Sequence, residues 1–307
     1  MYTDIGSILR VAAKNGFAVL ATSPINMEIA RGMIRAASEK QAPIIFLLGQ
    51  NMMRQHAKAE IVIPMIRALA DEYTNVPIAT CLDHGNDPER IMYAFRNGFS
   101  SIMYDGSLFP FEENISKTKE IADLCHSFGM GIEGELGHVG IAANGDEKDE
   151  SIYTDPDDAR LFVEKTGVDC LAVAVGTAHG EYPHGMIPHI NFDRIRMIKE
   201  ATNGMPIALH GGSGSGDENI IKAVKAGINK VNMVTDVFVQ CTAKTRELIA
   251  DDPKIPYMDL MMKIEDHVSS FISHWIDLTG SEGMAGKYKA IDRMGLLTRK
   301  CRIGDSE

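Results

Sequence analysis

Three histidines stand at the ends of short apolar runs: His84 in TCLDHG, His179 in VAVGTAHGEY and His210 in PIALHGGSG. A single histidine beside a strand is more often a satisfied core or surface residue than a ligand. Three in the same structural position are a different matter, because a fold that gathers strand ends brings them to one point. Three nitrogen donors leave the fourth position of a tetrahedral Zn²⁺ open, which is the arrangement of a catalytic rather than a structural zinc. Acids stand in the same kind of position. Asp83 precedes His84, Asp105 follows a run ending at Tyr104, and Glu135 closes the run from Gly131. The stretch HGGSGSGDE (210–218) is a glycine-rich turn entering a helix, where backbone amides and a helix N-terminus bind an anion. NMVTD places Asn232 and Thr235 at the end of a further run.

The elements that must position these residues follow a repeat. Six times a helical pattern ends at glycine and an apolar run begins at once, at Gly16, Gly98, Gly129, Gly167, Gly204 and Gly227. Glycine supplies the left-handed turn out of a helix. The two remaining runs start at Pro43 and Pro77, which also stop helices. Eight such units predict an α/β fold, a (β/α)₈ TIM barrel, with an extra helix over residues 4–15 and helices after residue 256. An open doubly wound sheet is the alternative, but no G-x-G-x-x-G follows the first strand. We expect one barrel domain over residues 1–307. Residues 256–307 form its helical extension and a surface for self-association as a homodimer or homotetramer.

Composition excludes several classes. At 307 residues the chain buries a large core, and a net charge of −11 argues against nucleic acid or an anionic membrane as partner. Five scattered cysteines without CxxC spacing read as reduced thiols of a cytoplasmic protein, with Cys81 and Cys170 in the core. No basic-then-apolar leader opens the chain, and no apolar run approaches the ~20 residues of a membrane helix.

The ordered segments LDHG, IMYDGS, EGELG, VAVGTAHG, LHGGSG and NMVTD resemble the class II, zinc-dependent fructose- and tagatose-bisphosphate aldolases, from about residue 5 to 250 and more weakly to 288. The resemblance implies a lyase that cleaves a ketose 1-phosphate or ketose 1,6-bisphosphate to dihydroxyacetone phosphate and an aldehyde. It implies that His84, His179 and His210 hold Zn²⁺ and that Asp83 is the acid/base at the C4 hydroxyl. Asp105 and Glu135 then match acids near the metal that take an alternative or second ion. Gly180, the Gly211–Gly212–Ser213 turn, Asn232 and Thr235 match the grip on the 1-phosphate, with a monovalent cation beside it. The chemistry of the residues agrees, since zinc as a Lewis acid stabilises the charge left by C–C cleavage.

The departures fall in the half of the site facing the rest of the sugar. Ser23 stands where the family has an asparagine, with Asn26 retained, and Gly49 stands where it has a serine. Glu265 or Asp266 aligns with an arginine that meets a 6-phosphate, and an acid there repels a phosphate. The mobile-loop acid is displaced. Ala143 takes its place in the simple register, and Glu147 is the candidate among Asp146, Glu147 and Glu150. Two other readings compete. A metal-dependent hydrolase barrel often has H-x-H after its first strand, where this chain has no histidine. A non-catalytic sugar-phosphate sensor has no use for Asp83. Schiff-base chemistry finds only Lys230, expected at the start of strand eight on the wrong face.

Overall fold

The computed structural model describes residues 1–142, 153–183 and 186–288. In chain order the elements are α1 (Ile5–Asn15), β1 (Val19–Thr22), α2 (Met27–Glu39), β2 (Ile44–Gly49), α3 (Gln50–Gln55), α4 (Ala59–Glu72), β3 (Ile78–Gly85), α5 (Pro88–Asn97), β4 (Ser101–Tyr104) and α6 (Phe111–Ser127). They continue with β5 (Gly131–Leu136), α7 (Pro156–Thr166), β6 (Cys170–Val173), α8 (Phe192–Ala201), β7 (Ile207–Leu209), α9 (Asp217–Ala226), β8 (Ile228–Asn232), α10 (Thr235–Asp251) and α11 (Tyr257–Thr279). The eight strands pair in parallel in sequence order, and β8 closes on β1. This is the TIM-barrel fold that the repeat predicts. All six glycines of the repeat adopt positive φ, from 67° to 127°. Asp87 and Asp155 cap α5 and α7 ahead of a first-turn proline.

The period of two along each strand sorts side chains between two cores. In β2, Ile44, Phe46 and Leu48 face the surrounding helices, while Ile45 and Leu47 face the barrel interior. The interior row continues through Ala79, Cys81, Met103, Cys170, Ala172 and Ala208. Helix α1 packs Ile5, Ile8, Leu9 and Ala12 into the same cluster and plugs the N-terminal end of the barrel. The opposite end is left for chemistry.

Two elements depart from the sequence reading. Helix α3 follows β2 directly at Gly49 and was not expected; at six residues it is too short for a helical period to show. Lys230 lies in the middle of β8 rather than at its start, and its side chain is fully buried inside the barrel. Among the described residues no helix is long and apolar enough to cross a membrane. Cys81, Cys125 and Cys170 are buried free thiols.

Candidate active site

Strand alternation places most of the site. In β3 the inward row Ala79, Cys81 leads to Asp83, which therefore points into the mouth. In β7 the inward Ala208 leads to His210, which is fully buried. His84 follows Asp83 and would face outward in a regular strand. It instead adopts φ 50°, beside a register shift between Leu82 and Gly85, and this returns its ring to the mouth. A left-handed conformation at a non-glycine residue costs energy and persists only where its surroundings enforce it. Here Gln50 of α3 donates to the His84 carbonyl at 2.5 Å, and Asp105 Oδ2 holds Nδ1 at 2.8 Å.

The three imidazoles converge. Ring centroids lie 4.8 Å (His84–His179), 4.9 Å (His84–His210) and 5.6 Å (His179–His210) apart, all nearly edge-on. One nitrogen from each lies within 4.8 Å of the others. His210 Nδ1 is 3.1 Å from His84 Nε2, close to the ~3.3 Å that a shared tetrahedral ion with bonds of ~2.0 Å requires. His179 Nε2 is buried and has no hydrogen-bond partner, an orphan that a metal satisfies. The donor set therefore fits a divalent ion. His84, Asp105 and Glu135 form a second group of the same kind on the other side of the His84 ring.

Buried carboxylates surround this cluster. Burial works against charge on His84, but the Asp105 hydrogen bond, with Asp83 and Glu135 nearby, pushes its pKa up to about 10. His179 is driven down to about 2 by burial and by the two neighbouring histidines. Burial and the adjacent acids raise Glu135 to about 8 despite the attraction of His84. Burial likewise opposes charge on Asp105, yet the His84 and Ser107 hydrogen bonds hold its carboxyl well below the usual range.

One layer deeper lies an ion pair that the sequence reading missed. Glu133 of β5 and Lys230 of β8 are both fully buried, with Nζ 2.7 Å from Oε2. Glu133 Oε1 is 2.8 Å from His210 Nε2. Against the cost of burial, Lys230 and then His210 bring the Glu133 carboxyl down to about 2, and Glu133 holds Lys230 above the usual lysine range. The lysine is thus a locked structural cation and not a free amine. The signal was available, because Glu133 and Lys230 are opposite charges on the inward rows of two buried strands.

The phosphate residues gather in part. Asp83, His179, Gly180, Gly211, Ser213, Asn232, Val234 and Thr235 line one recess. Helix α10 begins there at Thr235 with no hydrogen bond from its N-cap side chain, and its Asp236 amide donates to Ser213 Oγ at 3.3 Å, so the helix N-terminus and the Ser213 turn face the same recess. Gly211 has φ 65°, and a Cβ there would lie 2.4 Å from the Ala178 carbonyl oxygen. Gly212 donates its amide to Asn232 O at 2.9 Å and does not line the recess, so its part is close packing. The Asn232 amide points at His210 Nε2 (3.2 Å) and Asp83 Oδ1 (3.4 Å).

The distal residues scatter. Gly49 lines a cavity of about 780 Å³ that opens from Asp83, His84 and His179 towards α3 and α5. Ser23 is buried at the end of β1 with its hydroxyl unpartnered, and Asn26 caps α2 by accepting from Ile29 N. Neither lines the mouth. Glu265 and Asp266 on α11 pair with Arg31 and Arg35 of α2, and they too are absent from the cavity wall. The repulsion of a 6-phosphate expected from them therefore has no basis in this geometry. Lys263 does not line the mouth either, and Arg293 lies outside the described residues. So do Ala143, Asp146, Glu147 and Glu150, and with them the loop acid. Gln50, Asn51, Arg54, Arg90 and His138 do line the mouth and were not singled out from sequence.

A parallel barrel with imidazoles and carboxylates at the C-terminal ends of its strands belongs to the enzymes that work through a bound metal. The model of the class II fructose-bisphosphate aldolases matches residues 3–284, and the chain belongs to that family. The fructose-bisphosphate aldolase of Thermus caldophilus is 34% identical over 307 residues, covering 91% of this chain and 98% of its own. The sulfofructosephosphate aldolase of Alkalicoccus urumqiensis is 37% identical over 258 residues, 82% of this chain and 87% of its own. The YdjI aldolase of Escherichia coli K12 superposes with a TM-score of 0.81 at 34% identity, covering 93% of this chain and all of that structure. The protein is a lyase of a family that is metal-dependent and acts on small sugar phosphates.

Proposed function

We propose that the chain is a zinc aldolase that reversibly cleaves a ketose 1-phosphate, with or without a second anionic group, to dihydroxyacetone phosphate and an aldehyde. The convergence of His84, His179 and His210 beside Asp83, next to a recess lined by Gly180, Gly211, Ser213 and Thr235, carries this reading. Its relatives are named for fructose bisphosphate and for sulfofructose phosphate, two ketose phosphates that share part of the sugar.

When bound by the three histidines, zinc would polarise the C2 carbonyl and balance the negative charge that develops there. Asp83 takes the proton of the C4 hydroxyl as the C3–C4 bond breaks. C4 leaves as the aldehyde carbonyl, and the bonding pair passes to C3 and the C2 oxygen. Protonation at C3 completes dihydroxyacetone phosphate, and Glu147 is our candidate donor. Asn232 orients Asp83 through its amide. Glu133 fixes the His210 ring, as carboxylates behind metal-binding histidines do. The amides at the start of α10 and the Ser213 and Thr235 hydroxyls receive the 1-phosphate. Asp105 and Glu135 orient His84 and offer an alternative position for a metal.

Dihydroxyacetone phosphate released from ketose phosphates is measured through a coupled reductase. Turnover should vanish with a chelator and return with Zn²⁺. Turnover that survives complete metal removal would refute the reading.

A further inference from the structure

Two turns carry much of the recess. The one after β6 brings His179 and Gly180, and the one after β7 brings Gly211 and Ser213. They touch at their base. Thr177 Oγ1 donates to the His210 carbonyl at 2.7 Å, and the Ala178 carbonyl lies where a Cβ on Gly211 would fall. Further out they are joined by Tyr182, a half-buried side chain that does not itself line the recess. The Ala178 amide donates to the Tyr182 hydroxyl at 2.8 Å, and that hydroxyl donates to the Ala178 carbonyl at 3.2 Å. One phenol thus closes residues 178–182 into a loop that carries His179 and Gly180. The aromatic ring of the same side chain lies against Gly214, where a Cβ would come within 3.0 Å of Tyr182 Cδ2.

The two parts of this side chain act on different turns. The hydroxyl fixes the peptide that joins Ala178 to His179, and with it the direction in which the imidazole leaves the chain. His179 has a second support, because its backbone also pairs with Gly140 and Ala142. Loss of the hydroxyl therefore loosens the ligand without releasing it. The ring bears on Gly214, which holds φ 69° and donates its amide to Asp236 Oδ2 at 3.2 Å. Asp236 in turn donates its own amide to Ser213 Oγ. The ring thus backs the turn that presents Ser213 to the recess. A half-exposed tyrosine that only covered apolar surface would turn its hydroxyl to water. This hydroxyl instead serves as donor and acceptor to the residue before a metal-binding histidine. We propose that Tyr182 is a positioning residue with two separable parts: its hydroxyl aligns His179 for the metal, and its ring holds the 211–214 turn for the phosphate. The inference rests on the aldolase reading for what those two turns bind.

Tyr182→Phe removes the hydroxyl and keeps the ring, and Tyr182→Leu removes both. Zinc affinity is measured by chelator competition. Phosphate affinity is measured by calorimetry with inorganic phosphate on the zinc-loaded protein, so neither reading depends on turnover. Tyr182→Phe should lower zinc affinity about five- to tenfold, the scale of one lost hydrogen bond, and leave phosphate affinity within about twofold. Tyr182→Leu should show the same zinc loss and a further several-fold loss of phosphate affinity. Co²⁺ bound in place of zinc should change its visible spectrum in both variants as the His179 donor shifts, which a role in packing alone would not produce. An unchanged zinc affinity and Co²⁺ spectrum in Tyr182→Phe would overturn the inference. So would a parallel loss of both ligands in Tyr182→Phe with a matching fall in the Tm of the metal-free protein, because that is general loosening. Either result leaves the aldolase reading intact, whereas a wild-type protein that binds no zinc would overturn both. Tyr182→Phe decides alone if the leucine variant does not fold.

Discussion

The two halves of this site are built from different materials. The half proposed to hold metal and phosphate is made of strand ends, backbone amides and fully buried side chains: His210 and Glu135 with no exposed surface, Gly211 wedged under Ala178, Glu133 locked to Lys230. The distal half is made of a six-residue helix and the first turn of α5, carrying exposed or half-exposed Gln50, Asn51, Arg54 and Arg90. The first half tolerates almost no change of shape. The second can vary its side chains without disturbing the barrel. Relatives named for fructose bisphosphate and sulfofructose phosphate are what that division allows: one chemistry held rigidly, with the rest of the sugar read by replaceable groups.

The contrast is broken most severely at the metal. His84→Ala should reduce metal content from about one ion per chain to a small fraction by elemental analysis, and abolish turnover. Retained metal would mean that His179 and His210 suffice with the carboxylates. Asp83→Ala should keep the metal and lower kcat by about 10²–10⁴-fold, the range for a general acid–base group.

Glu133→Gln probes the layer beneath. It leaves Lys230 buried without its counter-charge, which costs about 3–5 kcal/mol, and it weakens the support of His210, lowering metal affinity by about 10–100-fold. Chelator competition and denaturant titration read these separately. The sign of the pH effect follows from the carboxyl, which folding lowers from an ordinary value near 4.5 to about 2. Its contribution is complete above about pH 4.5 and is lost as pH falls towards 2, because the unfolded chain binds the proton first. Wild-type stability should fall through that window more steeply than that of Glu133→Gln.

The smallest effect belongs to the distal half. Gly49 has φ −75°, and a Cβ there would meet nothing within 4 Å. Gly49→Ser should change unfolding stability by no more than about 0.5 kcal/mol, while shifting kcat/KM among aldehydes. A large loss of stability would show that the mouth is as tightly built as the metal half.

The same division explains what was legible in sequence. The barrel could be read because six glycines and two prolines punctuate it at strand starts. His84, His179 and His210 could be read because each ends an apolar run. The loss of His84 from strand alternation could not, since a positive φ at a histidine has no one-residue signature. The Glu133–Lys230 pair was overlooked because its members lie 97 positions apart in different strands, and Lys230 was weighed only as a Schiff-base lysine. Helix α3 was too short for periodicity, so Arg54 had no face to belong to. Glu265 and Asp266 were placed by alignment with a family arginine, and alignment does not say which neighbour an acid meets; here that neighbour is α2.

In the proposed reaction separate protons go to separate groups: Asp83 serves the C4 hydroxyl alone, while the metal half, with Glu147 as the candidate proton carrier, activates C3. Deuterium exchange at C3 of dihydroxyacetone phosphate in D₂O without aldehyde, followed by NMR, tests this directly. The wild-type enzyme should exchange one C3 position stereospecifically and lose the exchange on chelation. Asp83→Ala should keep most of it while failing to cleave the ketose. Exchange that survives metal removal, or that disappears with Asp83, would contradict the account.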